Sequence, residues 1–184
     1  GVDGIKLFLP VPEGVLAAAV NEAHRAGKPV FVHPSTTADV MNAIGAGVDV
    51  IAHTTPHSES WTRSGLALTP TLSLWKSYAR HDRISMQDRV VNASIAQLRT
   101  WRDSGGQVLF GTDLGAVDPD PGEEYALMAQ AGMTITDILA SLTTTPTARF
   151  GDATASAASP PGIKPISRCG RRSPMCGTHC AAGK

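Results

Sequence analysis

Two histidines occupy matching places in the chain. His33 closes the run Pro29 to His33 (PVFVH), and His53 closes Val48 to His53 (VDVIAH). Lys6 lies inside the apolar run DGIKLFL, and Asp113 directly follows QVLFGT. In parallel β/α folds the C-terminal ends of the strands form the rim that carries chemistry. Lys6, His33, His53 and Asp113 would converge on that rim. Two imidazoles and two anionic oxygen donors suit zinc or a similar divalent ion. Lysine supplies an oxygen only as a carbamate, which requires a neutral amine, and burial between strands favours that form.

Each residue taken alone has a plainer reading. His33 could be a structural histidine before Pro34, Lys6 a strand lysine that snorkels to solvent, and Asp113 the cap of the Asp-Leu-Gly turn. The repeated context, a histidine ending two successive strands, is what favours ligation. His57 lies in the loop after the third strand and could contact substrate, although a solvated loop residue is the simpler reading. His24 reads as structural on a helix, and His81 as preceding a long one. Asp118, Asp120, Glu123 and Glu124 read as a solvated turn before a helix rather than a pocket for a basic group.

The elements that must position these side chains follow from periodicity. Residues 3–9 read as a strand. Residues 13–26 read as a helix with Val15, Leu16, Ala19, Val20 and Ala23 on one stripe, stopped by Gly27. Residues 29–33 are the second strand. A short helix capped by Thr36 or Thr37 carries Val40, Met41 and Ile44, and residues 48–53 are the third strand. A fourth strand is expected near 66–72, with Pro70 at its end. A long helix over 82–104 carries Val91, Ile95, Leu98 and Trp101. The fifth strand covers 107–112, and helices follow at 122–131, 135–143 and 146–150. Alternating strands and helices imply an α/β fold with a parallel sheet and right-handed crossovers. A β/α barrel uses about 31 residues per strand-helix unit. Residues 1–150 therefore read as a partial TIM barrel of about five units, or as an open five-stranded sheet.

Composition narrows the function classes. The chain has 184 residues with 16 basic and 16 acidic side chains, so it lacks the basic excess of a nucleic-acid binder. At 42% hydrophobic residues it is too apolar to be mostly disordered. No apolar run approaches the length of a membrane span. No secretory leader follows Gly1. Residues 151–184 differ from the rest. They hold all three cysteines (Cys169, Cys176, Cys180) and carry Lys164, Arg168, Arg171, Arg172 and Lys184 against Asp152 alone. This segment is expected to be an irregular, disordered tail. Its Cys169, Cys176, His179 and Cys180 lack the C-x2-C unit of a zinc knuckle. A cysteine-free segment over 1–150 fits a reducing, cytoplasmic compartment.

The ordered series GIKLF, VFVHPST, VIAHTTP and VLFGTD resembles the metal-dependent amidohydrolase superfamily. AHRAGKPVFVH, GVDVIAH and LTTTPTARFG resemble its imidazolonepropionase-like and prolidase-like branch. The resemblance covers residues 1–150 and implies the last five units of a barrel. It implies that Lys6 is the carboxylated lysine, that His33 and His53 are metal ligands, and that Asp113 both binds metal and takes the proton from the attacking water. The implied chemistry is hydrolysis of amide, cyclic amide or dipeptide-like C–N bonds in small molecules, with Zn2+ as the expected metal. The family's His-x-His pair is absent, and the sequence after Gly151 departs from the family. Truncation or a frameshift at both ends would explain these departures.

An open half-barrel leaves strand edges unpaired and holds ligands loosely. Weak or no activity is therefore expected of this chain alone. A homo-oligomer or a missing N-terminal barrel half would be its completing partner. The rival expectation is a non-catalytic open α/β domain, either a pseudoenzyme remnant or a docking module. A third is a barrel hydrolase that needs no metal.

Overall fold

Five strands form one parallel sheet in the computed structural model, which describes residues 1–55, 65–79, 84–115, 117 and 120–151. The strands are β1 (Ile5–Phe8), β2 (Val30–His33), β3 (Val50–Ala52), β4 (Ala67–Thr69) and β5 (Gln107–Val108). The helices are α1 (Glu13–Arg25), α2 (Thr37–Ala46), α3 (Leu72–Ala79), α4 (Ile84–Asp103), α5 (Gly122–Gln130), α6 (Ile135–Leu142) and α7 (Thr144–Phe150). The chain divides into two units, Gly1–Arg149 and Phe150–Lys184. Of the second unit only Phe150 and Gly151 are described.

The sheet order is β1-β2-β3-β4-β5, and every neighbouring pair is parallel. The order never reverses. Right-handed crossovers that all advance one way place their helices on one face of the sheet, as in a barrel; a doubly wound sheet would reverse. The sheet is thus the arc of a barrel wall. Register separates its faces. Lys6 pairs with Phe31, Phe31 with Val50 and Val50 with Ala67, so these side chains share the inner face. Val32, Ile51, Leu68 and Val108 occupy the helix side and join the main core with Leu16, Val20, Leu98, Trp101 and Met128. Val50 and Ala67 are also fully buried but lie outside that core cluster.

Local chemistry explains the helix ends. Thr36 and Asp39 form a capping box at α2, and Thr134 and Asp137 form one at α6. Gly47, at φ 82°, closes α2 in the left-handed conformation that glycine adopts without steric cost. The apolar stripes are narrower than expected. Leu16, Val20 and Val40 are buried, but Val15 and Met41 remain more than half exposed. Val91, Ile95, Leu98 and Trp101 of α4 all lie in the core.

Two elements differ from expectation. The fourth strand ends at Thr69, and α3 begins three residues later, at Leu72. Pro70 ends the ladder, and a helix takes over where strand had been expected. The fifth strand has regular pairing only over Gln107–Val108. Leu109 still donates to Leu68 O (2.8 Å), but the Phe110 amide turns to Ser141 O on α6 (3.1 Å). No helix among the described residues is long and apolar enough to cross a membrane.

Candidate active site

The C-terminal ends of β1, β2 and β3 bring three rings together. Phe8 and His33 are register partners, with ring centroids 5.0 Å apart. His53 meets His33 edge-on at 4.5 Å. The Lys6 ammonium lies over the Phe8 ring, 5.1 Å from its centroid. Asp113 lies close enough to act electrostatically on both imidazoles, as does Lys6. The four expected side chains therefore occupy one neighbourhood. His57 falls outside the described residues.

Strict alternation along β3 would not bring His53 to His33. Ile51 aligns with Val32 on the helix side, so Ala52 belongs to the inner face and the next residue to the helix side. His53 instead takes φ 81°, a left-handed conformation, and its ring reaches that of His33. Thr71 (φ 47°) and Asp113 (φ 62°) are the other non-glycine residues with positive φ among those described. Such residues are uncommon, and strained backbone of this kind clusters at functional sites. Here His53 and Thr71 lie just beyond the ends of β3 and β4, and Asp113 lies five residues beyond β5.

Buried polar contacts hold the strained segments. The His53 amide donates to Thr69 O (2.7 Å) and the Thr54 amide to Pro70 O (3.1 Å). Thr54 Oγ1 accepts from Trp75 Nε1 (2.9 Å). Gln97, inside α4, exchanges two hydrogen bonds with Thr55: its Nε2 donates to Oγ1 (2.7 Å), and its Oε1 accepts from the amide (2.9 Å). At β5 a close approach is needed. A Cβ at Gly111 would lie 2.5 Å from Thr69 Cγ2, so glycine lets the segment carrying Asp113 run against β4.

Both imidazoles are held neutral near pH 7. Burial lowers the His53 pKa to about 4; the neighbouring His33 and Lys6 lower it too, against the opposing pull of Asp113. His33 shifts downward as well, first through burial and then through Lys6, again opposed by Asp113. Neutral imidazole is the form that offers a lone pair to a metal. His53 is 2% exposed, its Nδ1 lies 2.6 Å from Thr71 Oγ1, and its Nε2 is buried with no hydrogen-bond partner among the described residues. Buried polar atoms are rarely left so, and ligation of an ion is one of the few ordinary explanations. The two imidazoles fit a divalent cation in kind and in protonation state. Among the described residues, however, no three His, Cys, Asp or Glu side chains close around one point.

One expectation about Lys6 needs correction. Burial was to favour its neutral amine, yet Lys6 is exposed. The reason is topological: β1 is an edge strand with one neighbour among the described strands, so its side chains are flanked on one side only. The acidic stretch also needs correction at Glu124, which is 1% exposed rather than solvated. Its carboxylate accepts from the Leu72 amide (2.9 Å) and the Ser73 amide (2.7 Å), capping α3 from a different helix. Glu123 pairs with Lys76. His24 is structural as expected, with Nε2 2.8 Å from Asp49 Oδ2, which also accepts from the Val30 amide. Thr71 and Gln97 were missed in the sequence, where threonine in TPTL and glutamine in a helix carry no distinguishing signal.

Solved structures share this arrangement of strands and helices. A Xaa-Pro dipeptidase with methionine bound in its active site superposes with a TM-score of 0.68 at 22% identity, over 82% of this chain and 44% of that one. Ochratoxinase from A. niger gives 0.62 at 18% identity, over 76% and 34%. A prolidase complexed with N-methylphosphonate-L-proline gives 0.57 at 20% identity, over 76% and 37%.

The fold is part of a TIM (β/α) barrel. The chain spans less than half the length of each of these proteins. The resemblance read from GIKLF, VFVHPST, VIAHTTP and VLFGTD is therefore a resemblance of fold, over 76% to 82% of this chain. No protein-family model and no curated protein matches the chain.

Proposed function

We propose that the chain carries part of the active site of a metal-dependent hydrolase acting on amide, cyclic amide or dipeptide-like C–N bonds of small molecules. The observation that carries this reading is the buried Nε2 of His53, unpartnered among the described residues, beside a second neutral imidazole, His33, on the rim of an amidohydrolase-type barrel wall. His33, His53 and Asp113 would hold the ion, and a carboxylated Lys6 would join them once its strand is flanked on both sides. Zinc is the first candidate for a site with two imidazoles. A bound divalent ion would supply Lewis acidity, polarising the substrate carbonyl and acidifying water.

The chain's own residues do the rest. Asp113 accepts the proton of the attacking water and returns it to the leaving nitrogen. His33 and His53 stay neutral and orient the site. Phe8, 64% exposed beside His33, offers an apolar surface to a substrate side chain. The exposed Lys6 on an edge strand favours weak or no turnover by this chain alone. A second copy or the remaining barrel strands would complete the site. The setting we propose is cytoplasmic, in keeping with the cysteine-free 1–150 segment.

Metal stoichiometry tests the reading. The full chain with Cys169, Cys176 and Cys180 changed to Ser should bind about one zinc per chain. His33→Ala or His53→Ala in that background should abolish binding. Absence of zinc in the parent would favour the rival, a non-catalytic open α/β domain. The observation on that side is the lack of three closed donors among the described residues.

A further inference from the structure

Thr71 does not use its side chain as its position suggests. It immediately precedes α3, where a threonine hydroxyl ordinarily accepts from an amide two or three residues ahead. Glu124 has taken over that end of the helix, accepting from the Leu72 and Ser73 amides. The Thr71 hydroxyl is thereby released for other partners. It donates to Pro70 O (2.8 Å) and stands 2.6 Å from His53 Nδ1.

A threonine hydroxyl has one proton. With that proton on Pro70 O, Thr71 Oγ1 can only accept from the ring, so Nδ1 carries the imidazole hydrogen. Nε2 is then a bare lone pair. The opposite tautomer would bury an N–H donor at Nε2 with no acceptor among the described residues, and orphaned buried donors are rarer than orphaned acceptors. The backbone adds a second, independent observation. Thr71 is β-branched and sits at φ 47°, a strained conformation. Glycine or asparagine would relieve that strain, but neither offers a hydroxyl that can accept from a ring N–H while donating to a carbonyl.

We propose that Thr71 is a positioning residue that fixes His53 as its Nδ1–H tautomer, leaving Nε2 free as a ligand atom. Metal-ligating histidines generally donate their other ring N–H to an oxygen that sets their tautomer and orientation. Here a threonine hydroxyl performs that role and is itself oriented by Pro70 O. The tautomer claim stands without a metal. Its consequence for metal affinity rests on the function proposed above.

The test is nitrogen NMR of the full chain labelled with 15N-histidine, without metal, with His53→Gln identifying the His53 signals. The parent and Thr71→Ser should show one tautomer, protonated at Nδ1. Thr71→Val, which keeps the shape and removes the hydroxyl, should lose that single state. Thr71→Gly should lose it as well, and because glycine relieves the positive φ it remains informative if the valine variant fails to fold. An Nε2–H tautomer in the parent, or an unchanged Nδ1–H tautomer in the variants lacking the hydroxyl, would overturn the proposal.

Zinc calorimetry on the same proteins separates this inference from the function beneath it. Thr71→Val and Thr71→Gly should bind about 10–100-fold more weakly, and Thr71→Ser close to the parent. Zinc binding to none of them, with the tautomer as expected, would refute the metal site and leave Thr71's role intact. Equal binding by all, despite a changed tautomer, would refute that role toward the metal.

Discussion

Glu124 and Ser73 meet across a long stretch of chain: the carboxylate on α5 accepts the amide of a residue in the first turn of α3 at 2.7 Å. Its other oxygen accepts from Leu72, so one buried side chain satisfies two of the amides that a helix leaves unpaired at its start. Burial raises the Glu124 pKa more than the two amides lower it. The folded protein therefore holds this proton more tightly than the unfolded chain does. Stability contributed by Glu124 is fully present below its unfolded pKa and is lost as pH rises through the folded value. Denaturant unfolding between pH 4 and 8 should show that decline, and Glu124→Gln should flatten it. An equal slope in both proteins would sink the assignment.

The same variant should be less stable near neutral pH. Glutamine presents an NH2 group to one of the two amides and leaves that donor buried and unmatched, at a cost of about 1–3 kcal/mol. Thermal unfolding should register a fall of about 2–4 °C per kcal/mol for a chain of this size.

Two glycines should respond to alanine in opposite directions. A Cβ at Gly106 would fall 2.4 Å from the indole of Trp101, which is 1% exposed and donates to Gln107 O. Gly106→Ala should destabilise by roughly 1–3 kcal/mol through overpacking. Gly45 lies within α2 with open space around its Cβ position. Gly45→Ala should stabilise by about 0.5–1 kcal/mol, because glycine loses more chain entropy in a helix. Urea midpoints measured side by side would expose an error in either sign.

Gly111→Ala should act on the site more than on overall stability. The added methyl meets Thr69 Cγ2, and relief would push the Asp113 segment away from β4. Zinc affinity should fall in Gly111→Ala and recover in the double variant with Thr69→Ser, which removes the obstructing methyl. Loss without recovery would mean that the contact is not what places Asp113.

Arg149 clasps the lower end of the sheet. One guanidinium nitrogen donates to Asp49 O (2.6 Å) and Gly65 O (2.9 Å), just ahead of β3 and β4, while another donates to Gln107 Oε1 (2.6 Å) on β5. Arg149→Met should lower stability by about 1.5–3 kcal/mol. Arg149→Lys should recover only part of that, since an ammonium cannot reproduce the planar fork. Full recovery with lysine in equilibrium unfolding would show that charge alone suffices.

Most of the wall was legible because its causes are local. Apolar periodicity places α1, α2 and α4, a threonine cap starts α2, and successive β-rich runs between helices impose a parallel sheet. His33 and His53 were legible because strand ends in such a sheet share one rim. The boundary near Leu72 was not, because helix there depends on an acceptor supplied by Glu124, 52 residues away. Lys6 was misjudged for a related reason: burial depends on what lies on both sides of a strand, and β1 is an edge. The sequence by itself determined the order of elements and put His33 and His53 at the ends of neighbouring strands. Only the tertiary structure decided that His53 leaves its strand's alternation through a positive φ, that Thr71 Oγ1 stands 2.6 Å from its ring nitrogen, and that Glu124 caps α3. Those three facts arise from contacts between residues distant in sequence, where neither propensity nor period carries information.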